Sequence, residues 1–167
     1  MSNFEKNLEQ ALINAKRLTN KILIDGKLIS AQTNNKIPVL NPSTGENIGS
    51  APQCDKNDVN IAVESAHKAF QKWKKIPARE RGKMVAAGAK RLEERKSEIE
   101  TLLSLDTGNA LRTQAIPETG ASIELTNMFA GLSGELKGEN YPTNIPNSIH
   151  YTTRDPIGVV CAIVPWN

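Results

Sequence analysis

The sequence predicts an α/β fold. Three observations point that way. The run Gly158 to Val164 is apolar at every position, as expected for a strand buried on both faces of a parallel sheet. Before it, several stretches carry apolar residues at helical spacing. Between and ahead of those stretches, short apolar segments flank turn formers at Asp25-Gly26 and at Asn41 to Gly45, which suits hairpins.

Each element follows in order along the chain. Phe4, Leu8, Ala11, Leu12, Ala15 and Leu18 fall on one helical face, and Ser2 with Glu5 has capping-box spacing. Ile22 to Ile24 and Lys27 to Ile29 then flank Asp25-Gly26, a pair suited to a type I′ turn because both central residues need positive φ. A second β pair runs from Ile37 to Leu40 and back over Glu46 to Ala51. Asp55 can cap a helix with the stripe Val59, Ala62, Val63, Ala66, Phe70 and Trp73, which Pro77 ends. The next helix carries Met84, Val85, Gly88 and Leu92 on one face and charges on the other. Ser97 with Glu100 forms a further capping box before Ile99, Leu102 and Leu103, and Gly108 stops that helix. Pro117 fits the first turn of another helix, with Ala121, Leu125, Met128, Phe129 and Leu132 inward. Gly131 to Pro146 reads as a connection, and Ile149 to Arg154 alternates as a half-exposed strand. The strand from Gly158 then delivers Pro165-Trp166-Asn167 to its carboxyl end. A strand buried on both faces needs neighbours on each side. The 167 residues are therefore expected to be the front part of a larger α/β protein.

Composition narrows the function classes. Apolar residues make up 38% and charged residues 23%, the range of a folded domain. The net charge of +3 is too mild to argue for nucleic acid or an anionic membrane as a partner. No apolar leader follows Glu5 and Lys6, and the run Ile157 to Val164 is too short to cross a bilayer, so a cytoplasmic protein is expected. Two cysteines allow at most one bridge, and reduced thiols are the better reading.

The candidate reactive groups are few. Cys161 sits among aliphatic residues, where burial raises a thiol pKa, so it reads as structural. Cys54 precedes a helix start, but Asp55 and Asp58 oppose its ionisation. His67 and His150 lack metal-ligand spacing. The basic stretch from Lys72 to Lys83 around Pro77 reads as a solvated helix junction. No Walker sequence and no G-x-G-x-x-G turn is present. What remains is Asn167, which reads either as a plain turn residue, since Asn is common in turns, or as a functional amide. Ligands of open α/β sheets bind at the carboxyl ends of strands, and an amide there can donate to a developing oxyanion.

A set of short stretches then adds a resemblance. They are Ile24-Asp25-Gly26, Asn41-Pro42-Ser43-Thr44-Gly45-Glu46, Ala69-Phe70 with Trp73, Arg79-Glu80-Arg81-Gly82, Leu105-Asp106-Thr107-Gly108, Ala130-Gly131, Arg154 to Val160, and Pro165-Trp166-Asn167. Each is weak alone, but their order and spacing are specific. From Ile24 onward the chain resembles the N-terminal part of the aldehyde dehydrogenase superfamily. Asn109-Ala110 departs from the Lys-Pro of many members and leaves the subfamily open.

The resemblance implies a subunit with a Rossmann-like cofactor domain, a catalytic domain and an oligomerisation hairpin. Residues 1–146 would belong to the cofactor-binding domain as helices and hairpins. Residues 147–156 would form a strand of the oligomerisation hairpin, and 157–167 the first strand of the Rossmann-like sheet. In the family a cysteine attacks the aldehyde, hydride passes to NAD or NADP, and a glutamate base directs water onto the thioester. Asn167 would supply one oxyanion donor. Ile163, Val164, Pro165, Trp166 and Asn167 would line the cofactor cleft. Leu40, through its carbonyl, and Asp106 would bind a structural K+ or Na+. The complete protein would act on a small aldehyde as a homodimer or homotetramer.

The family's nucleophile, base and cofactor turn lie beyond Asn167, so the chain alone is expected to be inactive and to bind no cofactor stably. Two other readings stand beside this one. One is a non-catalytic module that pairs with a full-length relative by strand addition. The other is a small dinucleotide-binding protein.

Overall fold

The computed structural model describes residues 3–164, with side chains from Glu5 onward. The Ser2 cap, the Phe4 side chain and Pro165-Trp166-Asn167 lie outside that range. Helix α1 (Asn3–Leu18) forms where the periodicity places it. It buries Ala11 and Asn14 and packs on a later helix, α4 (Lys96–Thr107). Asn20, at φ 57°, turns the chain out of α1.

Strands β1 (Lys21–Ile24) and β2 (Lys27–Ser30) pair antiparallel with Ile24 opposite Lys27. Asp25 and Gly26 take φ 51° and 70°, as the type I′ turn requires. Strands β3 (Lys36–Leu40) and β4 (Asn47–Pro52) form the second hairpin, with an irregular register between Val39 and Leu40. The Asn20 N–H donates to the Ser50 carbonyl at 2.8 Å and ties the end of α1 to β4.

Helix α2 (Lys56–Trp73) has the expected cap at Asp55 and uses Asp58 to complete a capping box. Asp58 does more than cap. It is 3% exposed, and its Oδ1 accepts the Gln32 N–H at 2.9 Å, fastening the segment after β2 to the start of α2. Asp58→Ala strands the Gln32 and Asp55 N–H groups and is expected to cost about 1–3 kcal/mol. Urea unfolding followed by circular dichroism checks this; an unchanged midpoint would mean that water replaces the carboxylate. The stripe expected to face inward is open, with Val59 and Val63 at 53% and 48% exposure. Among the described residues, β1 is the main element that α2 touches, and its apolar face is left largely uncovered.

Helix α3 (Ala78–Glu94) starts at Pro77, which therefore serves the next helix as well as stopping the last. Its buried residues are Gly82 and Ala89, whereas Met84 is 54% exposed and Gly88 faces open space. The expected phase is thus wrong. The helix is docked by its small residues against α5 (Ile116–Leu132), and the long side chains are turned away.

The Ser97–Glu100 capping box does not form, because α4 begins two residues earlier, with Arg95 at the N-cap position. Arg95 instead grips Glu98 with two hydrogen bonds of 2.9 and 2.7 Å, and Ser97 Oγ accepts from Asn7 at 3.0 Å. The Arg95 hydrogen bond holds the Glu98 carboxyl below its usual range, and partial desolvation opposes it. A folded pKa below the unfolded one gives stability that is present above the ordinary carboxylate range and lost as pH falls through the depressed value. Glu98→Gln is therefore expected to cost less than about 1 kcal/mol at neutral pH and nothing in strong acid. Urea midpoints of both proteins at the two pH values test this, and a gap that persists in acid would contradict it. Gly108 ends α4 at φ 76°, as expected.

A single π turn, Leu111–Ala115, leads into α5, whose first turn holds Pro117. The buried face of α5 is Thr119, Ile123 and Ala130. The residues expected inward are instead outward: Ala121 is exposed, and so are Leu125, Met128, Phe129 and Leu132. Apolar residues surround this helix, so periodicity could not select a face.

The connection after Gly131 contains a short 3₁₀ turn at Ser133–Glu135 and an unexpected strand, β5 (Asn140–Tyr141). It pairs antiparallel with β6 (His150–Tyr151), which is shorter than the expected Ile149 to Arg154.

Residues 157–164 depart furthest from expectation. They form no strand, and Ile157 and Ile163 are 91% and 94% exposed. Cys161, expected to be buried, is exposed. A buried strand needs ladder partners and covering helices, and the described residues supply neither. Among them the sheets are three separate antiparallel hairpins beside a helical layer. No helix among them is long and apolar enough to cross a membrane.

Candidate functional site

Cys54 is a poor nucleophile in place. Cys54 is exposed just before α2, and its pKa is raised by partial desolvation and then by the nearby Asp58 and Asp55 charges. That direction matches the sequence reading and is the reverse of what an activated thiolate needs. Cys161 stands in the exposed run 157–164. His67 is exposed and meets Gln71 at 3.1 Å. His150 belongs to β6, far along the chain from Cys54. Among the described residues, no three His, Cys, Asp or Glu side chains group to hold a metal ion.

The segment leading to Asn167 has one fixed point. Gly158 takes φ +121°, a conformation that L residues rarely adopt. A Cβ at that position would lie 4.0 Å from Phe70 Cε1, an ordinary contact distance. The Phe70 ring in turn carries Lys74 Nζ at 5.3 Å from its centroid. Of the residues expected to line a cofactor cleft, Ile163 and Val164 are 94% and 76% exposed. Pro165, Trp166 and Asn167 lie outside the described residues.

Leu40 closes β3, and Asp106 lies in the last turn of α4. Their segments meet, since a Cβ on Gly108 would come within 2.8 Å of Pro42 Cγ. Asp106 also lines a groove of about 460 Å³ between α1, the β3–β4 hairpin and α4, with Leu18, Val39, Ile48 and Leu102 among its walls. One carboxylate and one main-chain carbonyl are hard oxygen donors, suited to an alkali cation, but two oxygens do not complete a coordination shell.

Sequence reasoning overlooked the fastening role of Asp58 and the conformation of Gly158. The signal for the second was present: a glycine interrupting an apolar run marks a place where the backbone needs freedom.

Comparison with known proteins identifies the family. The family model described as "Aldehyde dehydrogenase family" matches residues 28–167. Phenylacetaldehyde dehydrogenase of Pseudomonas fluorescens is 35% identical over 162 residues, covering 93% of this chain and 32% of that protein. Among solved structures, HpcC from Thermus thermophilus superposes with a TM-score of 0.89 at 26% identity, over 97% of this chain and 31% of that one. Betaine aldehyde dehydrogenase from Staphylococcus aureus, solved in complex with NAD+, gives 0.81 at 27% identity, over 90% and 30%. The chain thus spans about a third of the length of the relatives it matches, and its architecture corresponds to the N-terminal part of their structures. With most of its length matched by the family model, the chain belongs to the aldehyde dehydrogenase family.

Proposed function

We propose that this chain supplies the N-terminal portion of an enzyme that oxidises an aldehyde to a carboxylic acid with NAD(P)+. The reaction proceeds through a thiohemiacetal on a cysteine that is neither Cys54 nor Cys161. The observation that carries this reading is the match of residues 28–167 to the family model. Within it, Asn167 donates its amide to the oxyanion that forms as the thiol adds to the carbonyl. Ile163, Val164, Pro165 and Trp166 form an apolar wall of the cofactor cleft. Their side chains fit the flat face of a base or nicotinamide ring, and nothing in the described residues addresses a pyrophosphate. The cofactor, when bound, accepts the hydride; this chain's part is to shape one side of its cleft. Leu40 and Asp106 give two oxygens to a structural K+ or Na+. Residues 147–156, which include β6, extend toward a partner subunit in a homodimer or homotetramer. Free, exposed Cys54 and Cys161 suit a reducing compartment such as the cytoplasm.

The purified chain is expected to form no NAD(P)H from any of a panel of aliphatic and aromatic aldehydes, because its thiols lack a base and an oxyanion hole needs a nucleophile to act. Absorbance of the reduced cofactor reads this directly. Turnover by the chain alone, abolished by Cys54→Ala or Cys161→Ala, would overturn the assignment. Tight binding to an aldehyde-oxidising relative without any gain in turnover would favour the non-catalytic module.

A further inference from the structure

We propose that Gly108 is a positioning residue for a structural alkali cation: the close approach of its backbone to Pro42 sets the spacing between Asp106 and the Leu40 carbonyl. This rests on the cation reading of Leu40 and Asp106 given above. The contact is well placed to control their spacing, because Pro42 follows Leu40 by two residues and Gly108 follows Asp106 by two. Gly108 is glycine for two separate reasons. Its φ of +76° ends α4 in the left-handed region. Independently, a Cβ there would lie 2.8 Å from Pro42 Cγ and 3.6 Å from Pro42 Cβ. A proline ring cannot rotate out of the way, so a side chain at 108 has to drive the two segments apart.

Both segments are stiff enough to pass that displacement on. After β3, the Asn41 N–H donates to the Glu46 carbonyl at 2.8 Å, and the Gly45 N–H donates to the Asn41 carbonyl at 2.8 Å. Asn41 Oδ1 also accepts the Ser43 N–H at 2.9 Å. At the end of α4, the Gly108 N–H donates to the Ser104 carbonyl at 3.0 Å. The Ser104 hydroxyl reaches past it to the Asn109 carbonyl at 2.7 Å. Leu40 and Asp106 therefore move with their own turns. A cation is held by several oxygens at set distances, so parting two of them weakens binding while leaving both donors in the chain.

The test uses the complete aldehyde-oxidising enzyme that carries this chain. Its Tm is followed through titrations with KCl and NaCl, with choline chloride holding the ionic strength constant, and thallium(I) NMR reads cation binding directly. Wild-type enzyme is expected to gain Tm with the alkali cation, and Asp106→Asn to lose that gain. Gly108→Asn isolates the contact, since asparagine accepts positive φ but brings a Cβ against Pro42. It is expected to weaken cation binding by about 10-fold or more. Adding Pro42→Ala removes the obstructing Cγ and should restore wild-type affinity, whereas a loss due to a poorer helix cap would remain. Gly108→Asn enzyme that binds the cation as wild type does would overturn the positioning role and leave the cation reading standing. A double variant as weak as Gly108→Asn alone would overturn it as well, because the cap and not the contact is then responsible. Wild-type enzyme without any cation-specific gain would sink the cation reading itself, and this inference with it. If Gly108→Asn enzyme does not accumulate folded, the double variant decides: wild-type affinity supports the proposal, and weakened binding overturns it.

Discussion

Gly82→Ala is expected to destabilise the protein by about 2–3 kcal/mol, although helix propensity alone would favour it by about 1 kcal/mol. Gly82 is buried where α3 meets α5. A Cβ there would collide with Ser133 Oγ, and it would lie 2.5 Å from the Ala130 carbonyl oxygen and 2.8 Å from Ser133 Cβ. The Ser133 hydroxyl could rotate away, but the carbonyl belongs to the end of α5 and cannot. The two helices must move apart, and the surrounding contacts are lost with them. Gly88 provides the internal control. It lies in the same helix with nothing within 4 Å of its would-be Cβ. Gly88→Ala is expected to stabilise by up to about 1 kcal/mol. Denaturant melts of the two variants should therefore shift in opposite directions. A stabilising Gly82→Ala would mean that α3 and α5 are less closely packed than described.

In the complete enzyme, Asn167→Ala is expected to lower kcat by about 10²–10³-fold, equivalent to ~3–4 kcal/mol of lost transition-state stabilisation. The amide would meet charge that exists only while the thiol adds and the thioester breaks down. Its contribution thus falls on the reaction rather than on binding, and cofactor affinity should change far less. Single-turnover measurements isolate the chemical steps from product release. A near-wild-type rate there would remove Asn167 from the mechanism.

Much of the local structure could be read directly from residue types. Asp25-Gly26 specified its turn because few pairs tolerate two positive φ values in succession. Asp55 and Gly108 marked helix ends for equally local reasons. Side-chain burial was much less legible. In α5 the apolar residues run right around the helix, so its inward face was decided by whichever side allowed α3 closest, at Thr119, Ile123 and Ala130. The Ser97–Glu100 box had the right spacing but lost to a pairing of Arg95 with Glu98 and to a contact from Asn7 that no local pattern could announce. Residues 157–164 have strand composition without strand pairing, since pairing is a property of neighbours and not of the segment. Of the candidate site, Pro165-Trp166-Asn167 lies outside the described residues, and the positive φ of Gly158 ahead of it was not foreseen, because a backbone angle is set by the surrounding fold as much as by the residue.

The contact between Asn7 and Ser97 joins positions 90 residues apart. Its consequence lies in time rather than in energy. As the chain is synthesised, α1 emerges well before the surface of α4 that receives it. At about 5–20 residues per second that interval is some seconds, far longer than a helix needs to form or melt. During it, the apolar side of α1 has the β3–β4 hairpin as its nearest support. Folding of this region is thus expected to wait on the emergence of α4. Slowing translation between the two helices should lengthen the lifetime of a protease-sensitive α1 without altering the finished structure.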